Sequence, residues 1–243
     1  MKLKNTVLLS ALTLCGAVFA QAQAPEPDYT LSYNVGVVSD YRYRGISQSR
    51  LRPALQGGAD FAHKSGFYVG TWASTIRWLE DMPGGRGPVE WDLYGGYKGA
   101  IAKDVSYDVG YLRYQYPREN FTPSVNTDEL YGAVTFGPAT LKYSHSVSNL
   151  FGFANSKNSG YLDLSASFDL GSGWSLVPHL GHQRVKNNSS FSYTDYALAL
   201  NKDIDGLVLS AALVGTDVKT YVAPTNGKNL GRDGLVLSVK KNF

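Results

Sequence analysis

Residues 29–43 sort by side chain with a period of two. Tyr29, Leu31, Tyr33, Val35, Val37, Tyr41 and Tyr43 share one face, and Thr30, Ser32, Asn34, Gly36, Asp40 and Arg42 share the other. A helix, with a period of 3.6, would mix the two sets. The same sorting recurs near 53–63, 67–77, 89–99, 104–116, 128–136, 139–149, 160–170, 174–184, 194–202, 206–216 and 233–243. That makes about twelve segments, each near the ~9–11 residues that a tilted membrane strand needs. In 160–170, Leu162, Leu164, Ala166, Phe168 and Leu170 alternate with Asp163, Ser165, Ser167 and Asp169. Two segments are irregular. The alternation slips near Tyr111 and Leu112, where a bulge is expected, and Pro178 removes a ladder donor from 174–184.

A period of two fits a soluble sandwich as well as a barrel, and the connections separate them. Tight turns rich in turn formers fall at 64–66, 100–103, 137–138, 171–173 and 203–205. Longer polar segments fall between them, at 45–52, 78–88, 117–127, 150–159, 185–193 and 217–232. Short and long alternate throughout, as in outer-membrane barrels with short periplasmic turns and longer extracellular loops. An even strand number then puts both termini on the periplasmic side. With this topology, Tyr41, Tyr43, Trp78, Trp91, Tyr114 and Tyr116 fall near the outer rim. Phe67, Tyr97, Phe136, Phe168, Trp174 and Phe243 fall near the periplasmic rim. Two aromatic girdles are expected where amphipathic rings meet two interfaces.

The N-terminus predicts export. Lys2 and Lys4 precede an almost wholly apolar stretch over 7–19, followed by small residues around Ala20 and Ala22. That stretch, about 13 residues, is too short to cross a bilayer as a helix. Residues 1–22 therefore read as a cleaved signal peptide and 23–243 as a single barrel domain. Cys15, the single cysteine, lies inside the signal behind Leu14, a poor context for lipidation, so the mature chain has no disulfide or thiolate site. Without Lys2 and Lys4 the 23 Lys+Arg become 21, against 20 Asp+Glu, too even for a nucleic-acid binder. The 17 tyrosines, 26 glycines and negative mean hydropathy fit a wall whose two faces cancel in any window.

The last segment carries a further signal. Leu235, Leu237, Val239 and Phe243 alternate back from the terminus, with Lys241 the one interruption. A final phenylalanine closing such a strand resembles the signal read by the bacterial barrel assembly machinery. Residues 40–49 (DYRYRGISQS), 53–58 (PALQGG) and 65–72 (SGFYVGTW) resemble the opening of the TorF family, whose members are classed as porins. The resemblance is densest over about 33–75. It implies a Gram-negative outer-membrane barrel and porin-like transport, and it names no substrate.

Twelve strands ~4.8 Å apart and tilted ~40° enclose a barrel about 24 Å across. Inward side chains would leave an opening of roughly 10 Å at most. Parity places Arg42, Arg44, Asp60, Glu90, Asp92, Arg113, Lys142 and Asp163 on the pore-lining face, together with Asp40, Lys98, Asp108, Asp195 and Lys240. Acids and bases nearly balance, which argues against a ring of one charge. Two arrangements are open: salt bridges that stiffen the wall, or a constriction where Arg42, Arg44 and Arg113 face Asp60, Glu90 and Asp92. Residues 45–49 make either a tight rim turn, the simpler reading, or an inward fold at the mouth. Loop 78–88 is by default a surface loop and otherwise a constriction loop.

Membrane enzymes of the barrel type need a histidine beside a nucleophile or a metal. Of the four histidines, His63 falls by a periplasmic turn, and His145 and His182 face outward. His179 faces inward with no partner evident. No phosphate loop or metal-ligand spacing appears, so no enzyme and no cofactor are expected. The sequence thus reads as an all-β, transmembrane, antiparallel up-and-down barrel, a monomer in contact with outer-membrane lipids. It would pass small hydrophilic solutes, or else be a structural or surface-interaction barrel plugged by its own salt bridges.

Overall fold

The computed structural model describes residues 27–82 and 84–243. The export signal, with Lys2, Lys4 and Cys15, lies outside these residues, as does Pro83. Twelve strands form the wall: β1 (Tyr29–Val38), β2 (Ala54–His63), β3 (Phe67–Thr75), β4 (Val89–Ala102), β5 (Val105–Gln115), β6 (Thr127–Phe136), β7 (Ala139–Ser146), β8 (Gly160–Ala166, resuming as Phe168–Gly171), β9 (Trp174–Arg184), β10 (Tyr193–Ile204), β11 (Leu207–Thr216) and β12 (Gly234–Asn242). Each pairs antiparallel with its sequence neighbours, and β1 pairs with β12 to close the ring. Closure removes the unpaired edges that an open sheet would expose. At the seam, Asn34 to Val38 lie opposite Asn242 to Ser238, and Phe243 and Tyr33 exchange backbone hydrogen bonds of 2.9 and 3.2 Å. Phe243, 69% exposed, ends the outer wall.

Pro178 leaves its mark on the ladder. The β8–β9 pairing stops at Ser165 opposite His179 and resumes at Phe168 opposite Leu176, so the gap brackets the residue without an N–H. The expected bulge at Tyr111 and Leu112 is absent. β5 runs in unbroken register against β6, from Val105 opposite Phe136 to Tyr114 opposite Thr127. The shifts occur instead between Ala100 and Ala102 and between Asp169 and Gly171. Both lie beside tight turns, where an extra residue is absorbed most easily.

The outer wall is largely apolar, with Leu31, Val69, Val134, Leu164, Leu198 and Leu237 all exposed. At the short-turn end, Phe67, Tyr97, Phe136, Phe168 and Trp174 join Phe243 as an exposed aromatic belt. The long-loop end departs from expectation. Of the six aromatics assigned to that rim, Trp91 alone stands exposed on the outer wall, where Tyr111, Tyr143 and Tyr196 accompany it. Tyr41, Tyr43, Trp78, Tyr114 and Tyr116 belong to an apolar cluster on the inner side of the wall. For Tyr41 and Tyr43 the reason is that β1 ends at Val38, so parity beyond it no longer applies. Tyr114 keeps its parity; it is an even residue on a strand whose odd positions face out.

On the inner face, tyrosine and glycine work as pairs. The rings of Tyr94, Tyr68, Tyr131 and Tyr161 lie across Gly70, Gly96, Gly110 and Gly181 of adjacent strands, where any Cβ would collide with them. This explains why both residue types are abundant. A missing side chain on one strand makes room for a ring from the next.

Candidate functional site

The chain leaves β1 and folds into the barrel before returning to β2. Arg42–Tyr43 pairs with Ile46–Ser47 across the two-residue turn Arg44–Gly45. Both turn residues have positive φ, 45° and 79°, the requirement of the type I′ turn that suits a twisted hairpin. Gly45 is needed for a second reason: a Cβ there would press into Thr216 of β11 and Asp195 of β10. The inward fold of 45–49 is therefore what the structure adopts, in place of the tight rim turn.

Asp40 holds the base of this hairpin. Its carboxylate accepts from Arg42 Nε at 2.5 Å, Ser47 Oγ at 2.5 Å and Ser49 Oγ at 3.2 Å. Arg42 Nη1 then donates to the carbonyls of Gly45, Leu230 and Arg232 at 2.9–3.0 Å, fastening the hairpin to the loop between β11 and β12. The Arg44 guanidinium crosses the lumen. It donates to Glu129 of β6 at 2.7 Å and to Gln183 of β9 at 2.6 Å, and lies over the Tyr161 ring of β8 at 4.1 Å. These strands stand on the far side of the ring from β1. The Arg44 and Glu129 side chains are 7% and 2% exposed. A pair buried this deeply offsets its desolvation only because geometry and further hydrogen bonds are favourable.

Apolar packing completes the obstruction. Val38, Tyr41, Ile76, Leu79, Tyr114, Tyr116 and Val125 form a buried cluster on one side of the hairpin. Ile46, Tyr193, Val218, Ala223 and Leu230 form another. Loop 78–88 contributes through a single 3-10 turn, Trp78–Asp81, whose Leu79 is fully buried and whose Asp81 is bound by Arg50 at 2.7 Å. The start of that loop is thus part of the plug. Glu90 accepts from Tyr41 Oη at 2.5 Å and Tyr116 Oη at 2.9 Å. Burial, then the nearby Glu90 charge, pushes both hydroxyls well above the usual tyrosine range, so they serve as donors. Asp92, beside them, has a buried Oδ1 without a partner among the described residues.

Below the hairpin, toward the short turns, the lumen opens. A cavity of about 350 Å³ is lined by Asn34, Gln56, Asn201, Ser210, Ser238 and Lys240, with Trp72 at its side. Further round the wall, Tyr94 donates to Asp60 and Tyr68 to Asp108, both at 2.6 Å, and Lys142 sits over the Tyr131 ring at 4.0 Å.

The charged residues singled out by parity thus separate into three groups. Arg42 and Arg44 are in the hairpin, with Glu90 and Asp92 beside the apolar cluster. Asp60, Lys142 and Asp163 lie on the inner wall away from the plug. Arg113 is a correction. With no bulge in β5 it stays on the odd, outward face, where it pairs with Asp128 at 2.9 Å. The imagined array of three arginines facing Asp60, Glu90 and Asp92 is not formed. Arg44 meets Glu129 instead, which the sequence reading omitted although it alternates with outward Leu130 and Val134. His179 also has partners: Asp163 at 2.6 Å, Tyr161 at 3.1 Å and Asp195 at 3.5 Å. Tyr161 and Asp163 come from β8 and Asp195 from β10, the strands on either side of β9, which one-strand parity cannot bring together. Among the described residues, no group of three or more acids, histidines or cysteines is placed to hold a metal ion, and no helix is long and apolar enough to cross a membrane.

Solved structures share this architecture at low sequence identity. The NanC porin aligns with a TM-score of 0.57 at 11% identity, over 88% of this chain and 99% of that one. The COG4313 outer membrane channel from Pseudomonas putida F1 aligns with a TM-score of 0.50 at 12% identity, over 89% and 96%. At such identities the likeness is one of fold. No curated protein matches the sequence. The family match covers nearly the whole barrel: over residues 21–243 the chain belongs to Gcw_chp, a family described as bacterial proteins of unknown function.

Proposed function

We propose that this protein is an outer-membrane channel for small hydrophilic solutes, in which the Arg44 hairpin forms the constriction. The observation that carries this reading is the pairing of an open, polar cavity with a roof that is not part of the wall. The hairpin belongs to a loop, and its removal would leave the barrel ladder intact. The apolar outer wall, the aromatic belt and the likeness in fold to porins support a bilayer location. In the same reading, residues 1–22 direct export, Phe243 is the C-terminal assembly signal, and Arg44, Glu90, Asp92, Asp60, Lys142 and Asp163 line the route. It agrees with the resemblance of residues 33–75 to the TorF porins. The barrel acts as a monomer among lipids.

A second reading, a non-conducting barrel, draws on the plug itself. Arg44 and Glu90 are bonded within the plug, and apolar side chains surround the hairpin on both sides. Planar-bilayer recording of the refolded chain separates the two. A conducting channel gives small discrete steps, and Gly45→Val enlarges them severalfold, because a β-branched residue is strained at φ 79° and its Cβ would strike Thr216 and Asp195. Silence from both proteins establishes the non-conducting barrel.

A further inference from the structure

Above the hairpin, on the side of the long loops, lies a second cavity of about 280 Å³, separate from the polar one below. Its walls are rings from five different segments: Tyr43 of the hairpin, Trp78, Phe151 and Phe153, Phe191, and Tyr221. They brace one another at the spacings of aromatic packing, with Phe153 to Phe191 at 4.7 Å and Phe191 to Tyr221 at 5.6 Å. Tyr43 and Gln183 form part of the lining and also touch Arg44, so the cup rests directly on the hairpin.

The polar groups of the lining are largely occupied. Gln183 accepts from Arg44 and donates to the Gly160 and Arg184 carbonyls. Ser47 donates to Asp40, Thr220 to the Ser190 carbonyl, Tyr221 to the Phe191 carbonyl and Tyr43 to the Tyr114 hydroxyl. Gln48 spends its amide nitrogen on the Ile46 carbonyl. The lone charged residue of the lining, Asp81, is bound by Arg50. Two groups differ: the Tyr193 hydroxyl makes no hydrogen bond among the described residues, although the residue is 5% exposed, and the buried Trp78 Nε1 has no partner among them.

These facts select a ligand chemistry. An anion finds no free cation in the cup, and a cation finds only a carboxylate already paired. A sugar, with hydroxyls round its ring, would leave most of them unpaired against apolar walls, at a desolvation cost for each. A flat apolar ring with one hydrogen-bonding group loses nothing there. We propose that this cup binds a neutral, single-ring aromatic solute bearing one hydroxyl, with the ring packed among Phe153, Phe191 and Tyr221 and the hydroxyl meeting Tyr193. The site stands independently of whether the barrel conducts, since it needs only the folded loops.

The test uses the full refolded barrel in detergent and 4-fluorobenzyl alcohol as the probe, followed by fluorine NMR. Wild type should bind it saturably. Thr220→Trp, which fills the cup from an exposed position, and Phe153→Ala, which removes a wall, should each weaken binding tenfold or more. Circular dichroism on the same samples verifies the strand signal, and Thr220→Trp keeps the test decisive if Phe153→Ala fails to fold. Neither D-glucose nor 4-fluorobenzoate should displace the probe. Equal uptake by wild type and Thr220→Trp, which marks partition into detergent, would overturn the proposal. So would an absence of binding, or displacement by the sugar or the benzoate.

Discussion

The two halves of this barrel share every strand and obey the same rule on the outside, but differ on the inside. Toward the short turns, inward positions hold Asn34, Gln56, Asn201, Ser210 and Ser238, which leave a polar cavity. Toward the long loops, the inward positions of the same strands meet side chains folded in from the loops, and the result resembles the core of a soluble protein. Leu79, Val125 and Thr127 are fully buried there, and so are the Glu129 and Glu90 carboxylates. A lumen residue at one end is solvated, whereas at the other it must have a partner. The aromatics follow the same division. At the short-turn end they form an exposed belt, and at the long-loop end most turn inward to build the plug.

The largest expected consequence lies in the buried ion pair. Glu129→Gln keeps the shape but leaves the Arg44 charge without its counterion, which should cost about 3–5 kcal/mol. Asp108→Asn, in the solvated half, alters a single hydrogen bond from Tyr68 and should cost about 0.5–1.5 kcal/mol. Guanidinium unfolding of both variants in the same detergent gives the comparison. Equal losses would mean that the two halves are not energetically distinct.

Much of the wall was legible in the sequence, because a period of two is imposed locally and a wall has only two sides. Leu162 to Leu170, the tight turn at 137–138 and the belt of Phe67, Phe136 and Phe243 all follow from that rule. The plug was not legible for a physical reason. Once the chain leaves β1 at Val38, its direction is set by contacts with β6, β9 and β11, far away in sequence. Alternation continues through Tyr41 and Tyr43 by coincidence of residue type, and it pointed them outward. The Arg44–Gly45 turn carried a usable signal, since a glycine after one residue between paired segments marks a type I′ hairpin. Glu129 was available to parity and was passed over. His179 and its three partners come from three strands and could not have been assembled without the register.

A second comparison concerns the two faces of one strand. Leu164 stands at mid-height on the outer wall, and its neighbour Ser165 points into the lumen. Arginine at 164 should cost about 2–4 kcal/mol in a lipid bilayer, because the charge meets hydrocarbon. Arginine at 165 should stay within about 0.5 kcal/mol of wild type, since the lumen there is polar. Folding equilibria in lipid vesicles measure both. If the two costs coincide, the outer wall is not the lipid face.

The smallest expected effect is also the most diagnostic of register. Arg113 is two-thirds covered on the outer wall, where it binds Asp128, and the Tyr111 hydroxyl donates to the same carboxylate at 2.5 Å. Arg113→Leu should therefore lose about 0.2–1 kcal/mol, the range for an exposed pair. In planar bilayers it should leave step size and ion preference as they are, because no atom of the side chain borders the lumen. Arg44→Gln, on the other side of the wall, should change both. A bulge at Tyr111 would turn residue 113 inward and make the two variants behave alike. Single-channel records of Arg113→Leu thus test the unbroken β5 ladder itself: altered conductance would return Arg113 to the pore and shift every residue of β5 beyond Tyr111 to the opposite face.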